Sequence, residues 1–179
     1  ISREDPLADQ WPTKAMTRTL AELTSLTMAA LEAFRGSGLV DPDRIILLGH
    51  SLGAARACTI AAADDAIAGL ILLAPAYFTR PDRPPTSFED QGLRYGAETL
   101  RERPLPTLVI AGALDVSRAV QVASLAALRA TGGPQDVSIE IFENLGHGLG
   151  PVDGGLTGPI DPRVCRFAAK WAADRIARP

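Results

Sequence analysis

The chain has 179 residues, of which 46% are hydrophobic and 22% charged, and its formal net charge at pH 7 is −3. This length and apolar content predict a single globular domain, residues 1–179, with enough apolar side chains to form a core. The small net charge argues against a nucleic acid or an anionic membrane surface as a partner. No apolar run in the sequence is long enough to span a bilayer.

The first predicted element is a helix over Met16–Phe34, and the preceding segment, Ile1–Thr13, has no strand-like pattern. Gly36 and Gly38 end this helix, since glycine commonly follows the last helical turn. The apolar residues that recur at helical spacing are Met16, Leu20, Leu23, Leu26, Ala30, Leu31 and Phe34.

The next segment carries the most informative motif of the chain. The apolar run Arg44–Leu48 is followed by G-H-S-L-G, centred on Ser51, and then by the alanine-rich stretch Ala54–Ala63. A strand, a sharp turn and a helix in this order are typical of a nucleophile elbow, in which Ser51 is the nucleophile. We expect a Cβ at Gly49 or Gly53 to collide with the neighbouring strand and helix. An incidental serine in a glycine-rich turn is the alternative, but the flanking strand and helix favour the nucleophile.

An elbow of this kind holds its serine in a sparsely populated backbone conformation, with the hydroxyl projecting from the turn. The N-terminus of the following helix then points at the hydroxyl. Its backbone N–H groups and the helix dipole would stabilise a developing oxyanion. The backbone N–H of Leu52 is the oxyanion donor that the sequence identifies.

A carboxylate candidate follows the next strands. Ala68–Ala74 predicts a second buried strand, and the apolar run Leu105–Ala111 predicts a third, followed by a glycine turn and Asp115. The acid that orients the base is expected at the carboxyl end of a strand, between the serine and the histidine in the chain. The alternative is that Asp115 caps a helix over Val120–Ala130 or is a turn residue, as aspartate often is. Asp82 is a weaker second candidate for the acid.

The base is found by elimination, because the chain contains two histidines. His50 adjoins Ser51, so its side chain is expected to point away from the hydroxyl. His147 remains, in a glycine-flanked loop after the strand-like segment Val137–Phe142. A lone histidine usually has no catalytic task, but this position after a strand favours His147 as the base that activates Ser51.

The last helix has a clear start, because Asp161 and Pro162 are typical of an N-cap and a first helical position. The expected buried face of this last helix is formed by Phe167, Ala168, Trp171, Ala172 and Ile176.

Cys58 and Cys165 are expected to be buried thiols, and two cysteines without nearby histidines make no zinc site.

The order Ser51, Asp115, His147, each after a strand, resembles the α/β-hydrolase superfamily. The motifs L-G-H-S-L-G-A, A-G-A-L-D and L-G-H-G are most similar to those of bacterial esterases near dienelactone hydrolase and of prolyl-oligopeptidase-like hydrolases. The resemblance implies an α/β fold with a mostly parallel sheet and flanking helices, lacking the N-terminal strands of that fold. It also places the helices of Cys58 and Cys165 on opposite faces of the sheet, which argues against a disulfide.

The resemblance further implies a cap-like excursion at residues 76–103, above the active site. Tyr77 and Phe78 would line an acyl or alcohol pocket there, the alternative being that they anchor a loop to the core. The loop that supplies the second oxyanion N–H in this superfamily is missing from the sequence.

These residues together predict a serine hydrolase that cleaves a small-molecule carboxylic ester through an acyl-enzyme intermediate. Ser51 attacks, His147 transfers the proton and Asp115 orients His147. No metal or organic cofactor is expected. A peptidase, a thioesterase or an acyltransferase would use the same residues, and a non-catalytic hydrolase-like binding protein is the alternative outside enzymes.

No strand is predicted before Arg44, so the strand that follows it has no predicted neighbour on that side. The run Ile45–Leu48 is apolar throughout, which is typical of a strand buried on both faces. Without a neighbour it would expose an unpaired edge that invites aggregation. We therefore expect that the chain needs a missing N-terminal segment, or a companion chain, to supply further strands and the second oxyanion donor. Expressed alone, it is expected to be poorly soluble and inactive.

Overall fold

The computed structural model describes residues 20–75, 104–115, 136–151 and 158–177. The predicted start of the first helix at Met16, the excursion at 76–103 with Tyr77, Phe78 and Asp82, and the helix over Val120–Ala130 lie outside these ranges. The described elements are α1 (Leu20–Gly36), β1 (Ile45–His50), α2 (Leu52–Ala63), β2 (Ile67–Leu73), β3 (Thr107–Gly112), β4 (Val137–Phe142) and α3 (Pro162–Ile176).

The four described strands form one parallel sheet in the order β1-β2-β3-β4. Because all four run in the same direction, their carboxyl ends lie at one edge of the sheet, where polar side chains from different loops can meet. Ser51 follows β1, Asp115 follows β3 and His147 follows β4. The predicted α/β class with a parallel sheet is therefore confirmed.

Helices cover both faces of this sheet. Successive residues of β2 alternate between the faces, since side chains in a strand point to opposite sides. Leu70 and Leu72 belong to a core with residues of α1 and α2, such as Leu31 and Cys58. The other face carries Ile71, Leu73, Leu108 and Ile110, packed with Val164 and Ala168 of α3. The helices of the two cysteines thus lie on opposite faces, as expected.

Strand β1, at one edge of the described sheet, is less buried than its sequence predicts. Within the described sheet it pairs with β2 on one side, and α2 is the helix that packs most closely on it. Ile45–Leu47 are half-buried, and Leu48 is 58% exposed. The prediction of burial on both faces is therefore wrong for Leu48 in the described part of the chain. On the face covered by α3, this helix contacts β3, and the β1 residue that packs with that core is Ile46.

The start of α3 is as the sequence predicts. The side chain of Asp161 accepts a hydrogen bond from the backbone N–H of Arg163 at 2.8 Å, and Pro162 occupies the first turn. Hydrogen bonds from the side chain and backbone of Arg163 also lower the pKa of Asp161.

None of the described helices combines the length and the apolar character needed to cross a bilayer.

The predicted buried face of α3 is only partly correct. Ala168 is buried, and Trp171 and Ala172 are half-buried. Phe167 and Ile176 each remain 37% exposed, because the stripe of α3 that reaches the sheet is narrow and these two residues flank it. Phe167 instead packs its ring edge-on against Phe142, with the centroids 6.0 Å apart.

The two cysteines differ in exposure, which corrects the prediction that both are buried. Cys58, on α2, is fully buried in the core, and burial raises the pKa of its thiol to about 12. Cys165 is exposed, because it lies on the outward side of α3. Since the thiolate is the reactive form, these environments predict different reactivities.

We expect N-ethylmaleimide at pH 7 to modify Cys165 but not Cys58 in the folded protein. With a pKa of about 12, only about one in 10⁵ Cys58 thiols is ionised at pH 7. Intact-mass spectrometry should show one adduct under native conditions and two in denaturant. Cys165→Ser should abolish the native adduct, and two native adducts in the wild type would contradict the burial of Cys58.

Candidate active site

Ser51 occupies the turn between β1 and α2 in a strained backbone conformation. Its φ is 53° and its ψ is −116°, a combination that residues with a Cβ rarely adopt. The strain is held in place from both sides. The backbone N–H of Ser51 donates to the carbonyl of Leu73 in β2 at 2.9 Å, and its carbonyl accepts from the N–H of Ala54 in α2 at 3.0 Å.

The two glycines of the motif have different roles. A Cβ at Gly49 would overlap the carbonyl group of Gly53 and lie 2.7 Å from the backbone nitrogen of Ala54. A Cβ at Gly53 would meet none of the described atoms within 4 Å. The steric prediction is therefore correct for Gly49 and wrong for Gly53. The Cα of Gly49 lies directly against the first turn of α2, whereas no described atom lies close to the Cβ position of residue 53.

The three candidate side chains lie within hydrogen-bond distance of one another. His147 Nε2 is 3.0 Å from Ser51 Oγ, and His147 Nδ1 is 2.8 Å from Asp115 Oδ2. The Asp115 side chain is fully buried, whereas that of His147 is 29% exposed. In the neutral ring this network assigns the proton to Nδ1, which donates to the carboxylate. Nε2 then accepts from the Ser51 hydroxyl.

The loops of the acid and the histidine are packed directly on each other. The backbone N–H of Leu114 donates to the carbonyl of Leu145 at 2.9 Å. A Cβ at Gly112 would overlap that carbonyl and lie 2.6 Å from the carbonyl oxygen of Gly146. Only glycine therefore allows the end of β3 to approach the histidine loop so closely. The sequence predicts only a glycine turn at this point, although the position of Gly112 three residues before Asp115 in A-G-A-L-D is a signal.

The turn that carries His147 is closed and anchored. The backbone N–H of Leu149 donates to the carbonyl of Gly146 at 3.0 Å, and the carbonyl of Leu149 accepts from the N–H of Asp161 at 2.8 Å. Leu149 is fully buried and has a φ of 54°. The loop is thus tied to the start of α3, which holds the histidine near the carboxyl edge of the sheet.

His50 has a contact that the sequence did not reveal. Its Nε2 lies 2.8 Å from the backbone carbonyl oxygen of His147, and the centroids of the two rings are 5.2 Å apart. The bond is made to the backbone of His147, not to the hydroxyl of Ser51. It joins two residues that are 97 positions apart in the chain.

Leu52 is the first residue of α2. The first N–H groups of an α-helix have no partner within the helix, and they lie at the positive end of the helix dipole. The backbone N–H of Leu52 is therefore suited to bind an anionic oxygen formed on a group attached to Ser51.

Metal-ligand clusters and cavities elsewhere in the described residues give no second candidate for the active site. The described residues contain no group of three or more His, Cys, Asp or Glu side chains suited to hold a metal ion. A cavity of about 300 Å³ lies at the opposite, amino ends of the strands, away from Ser51. It is lined by Arg44, Ile46, Ala68, Pro106, Asp136, Arg175 and Ile176.

The sequence profile of the serine hydrolase family matches residues 31–140, more than half of the chain. The chain belongs to the serine hydrolase family. The matched residues include the elbow at Ser51 and the acid candidate Asp115, and they end before His147. A comparison with curated protein sequences gives no match.

Solved structures show the fold of this serine hydrolase. It is similar to a monoacylglycerol lipase from Paleococcus ferrophilus, with a TM-score of 0.62 and 14% identity over 88% of this chain and 76% of the lipase. It is also similar to a Klebsiella pneumoniae protein described as a dienelactone hydrolase, with a TM-score of 0.65 and 13% identity over 91% and 63% of the two chains. It is similar as well to Est1E from Butyrivibrio proteoclasticus, with a TM-score of 0.62 and 16% identity over 90% of this chain and 72% of Est1E. The fold is that of the α/β hydrolases, as the sequence predicts.

Proposed function

We propose that this protein hydrolyses carboxylic esters through an acyl-enzyme intermediate on Ser51. The observation that carries the proposal is the chain of hydrogen bonds from Asp115 Oδ2 to His147 Nδ1, and from His147 Nε2 to Ser51 Oγ. A serine next to a base that is itself oriented by an acid is the arrangement that activates a weak hydroxyl nucleophile.

In the first half of the reaction, Ser51 Oγ attacks the ester carbonyl carbon while His147 Nε2 takes the hydroxyl proton. The imidazolium that results is paired with Asp115, whose side chain is fully buried. Burial keeps water from screening this pair, so the carboxylate stabilises the charged ring. The tetrahedral intermediate then collapses, and His147 gives the proton to the leaving alcohol.

In the second half, water attacks the acyl group on Ser51. His147 takes a proton from this water and returns it to Ser51 Oγ as the acyl–oxygen bond breaks, which releases the carboxylic acid. Both halves form an oxyanion. We assign one of its hydrogen-bond donors to the backbone N–H of Leu52, at the start of α2.

A second oxyanion donor is part of this mechanism. We propose that it comes from a further segment of the polypeptide, or from a companion chain, whose strands pair with the edge of β1. Among the described strands β1 pairs with β2 on one side, and such a neighbour would pair with its other side. The substrate pocket is proposed to include Tyr77 and Phe78, in the cap-like excursion at 76–103.

The ester is favoured over other substrates by analogy with the neighbours in fold, one of which is a monoacylglycerol lipase. Peptidases, thioesterases and acyltransferases use the same three residues, so the substrate has to be measured. The test measures turnover of nitrophenyl esters of rising acyl length, and of an anilide and a thioester with matched acyl groups. We expect one of the esters to be turned over fastest. A faster anilide or thioester would replace the ester in the proposal.

A fluorophosphonate probe tests the mechanism directly, because it phosphonylates an activated serine. We expect the whole folded protein to take up one probe, with Ser51 as the labelled residue in peptide mass spectrometry. Ser51→Ala should abolish labelling, whereas the control Ser37→Ala, at the exposed residue that follows α1, should leave it unchanged. Labelling that persists in Ser51→Ala would refute the assignment. Absent labelling of the folded wild type would favour a binding protein.

A further inference from the structure

We propose that His50 is a positioning residue, which holds the backbone of His147 so that its ring stays aligned with Ser51. The inference rests on the proposed function, since it assumes that His147 is the base. It follows from the hydrogen bond of 2.8 Å between His50 Nε2 and the carbonyl oxygen of His147. A carbonyl oxygen accepts hydrogen bonds, so Nε2 of His50 carries the proton and donates it.

The backbone at His147 needs such a restraint because of its neighbours. Gly146 and Gly148 flank the residue, and glycine has the largest backbone freedom of any amino acid. Hydrogen bonds at Leu145 and Leu149 hold the loop on either side of this glycine pair. The bond from His50 is made to the carbonyl of His147 itself, between the two glycines.

The restraint also links the base directly to the nucleophile. His50 is the last residue of β1, and Ser51 follows it. The strand that fixes the strained turn of Ser51 therefore also fixes the peptide group of His147. Misplacement of a catalytic group by about 1 Å can cost about 10²-fold in rate, so a bond that sets the separation of Ser51 Oγ and His147 Nε2 is expected to affect turnover.

His50 acts through His147. Its ring nitrogen bonds the His147 backbone, while the Nε2 and Nδ1 atoms of His147 are engaged with Ser51 and Asp115. The rings of the two histidines lie 5.2 Å apart at an angle of 52°. Loss of this ring contact and loss of the hydrogen bond are separable by substitution.

Two substitutions separate them. His50→Phe keeps an aromatic ring and removes the donor, and His50→Gln keeps a terminal N–H donor at similar reach and removes the ring. We expect His50→Phe to lower kcat about 10-fold or more, with KM changed less than twofold, and to slow fluorophosphonate labelling by a similar factor. His50→Gln should remain within about threefold of the wild type for both rates. Because His50 is exposed, both variants should fold with unchanged circular dichroism.

A nuclear magnetic resonance signal reports on positioning without turnover. The Nδ1–H proton that His147 shares with Asp115 should give a far-downfield resonance, which should weaken in His50→Phe through faster exchange and persist in His50→Gln. Wild-type kcat in His50→Phe, or a low kcat in His50→Gln alone, would overturn the inference. Ser51→Ala distinguishes the two proposals. If it retains full activity the proposed function fails, whereas an inactive Ser51→Ala with a fully active His50→Phe refutes only the role of His50.

Discussion

Alanine at Ser51, His147 or Asp115 is expected to lower kcat for ester hydrolysis by about 10⁴-fold or more, because each change removes one member of a single hydrogen-bonded unit. KM should change little, since none of the three is expected to contribute mainly to ground-state binding. The measurement is steady-state kinetics on a nitrophenyl ester, with active-site titration to exclude contaminating enzyme.

The three losses should be strongly non-additive. Once Ser51 is gone, the proton acceptor and its partner have no hydroxyl to activate, so the triple variant should be about as slow as Ser51→Ala. Asp174→Ala removes an exposed carboxylate paired with Lys170 on α3 and serves as the control, with near wild-type rates. A loss for Asp82→Ala equal to that for Asp115→Ala, or additive losses in the triple variant, would contradict the assignment.

Gly49→Ala is expected to destabilise the protein strongly, whereas Gly53→Ala is not. At position 49 the new methyl group would overlap the Gly53 carbonyl, and backbone atoms cannot move aside without distorting the elbow. We expect the free energy of unfolding to fall by about 3 kcal/mol or more. The strained geometry of Ser51 should be lost with it, so that fluorophosphonate labelling falls as well.

Gly53→Ala is the matched control, because it adds the same methyl group four residues away, where no described atom lies within 4 Å. Alanine in a helix is more favourable than glycine by up to about 1 kcal/mol, so this variant should be as stable as the wild type or slightly more so. Urea unfolding followed by circular dichroism measures both changes. Equal destabilisation by the two substitutions would show that position 53 is also sterically restricted.

The local features of this fold were readable in the sequence. The apolar run before G-H-S-L-G predicts the strand and helix on either side of Ser51, and Asp161 with Pro162 predicts the start of α3. Each of these depends on residues within one turn or one strand, whose preferences act over short distances. The order of Ser51, Asp115 and His147 along the chain also predicted that all three would meet, because parallel strands bring their carboxyl ends to one edge.

The sequence by itself thus determined the parallel α/β class, the elbow and the three side chains that lie in hydrogen-bond contact. The tertiary structure decided which elements pack on which residues. Gly49 is sterically required and Gly53 is not, Leu48 and Cys165 are exposed, and His50 bonds a residue 97 positions away. No local pattern contains this information, since contacts between distant segments depend on how the elements are placed in space. The same holds for Gly112, whose neighbours are the carbonyl groups of the histidine loop.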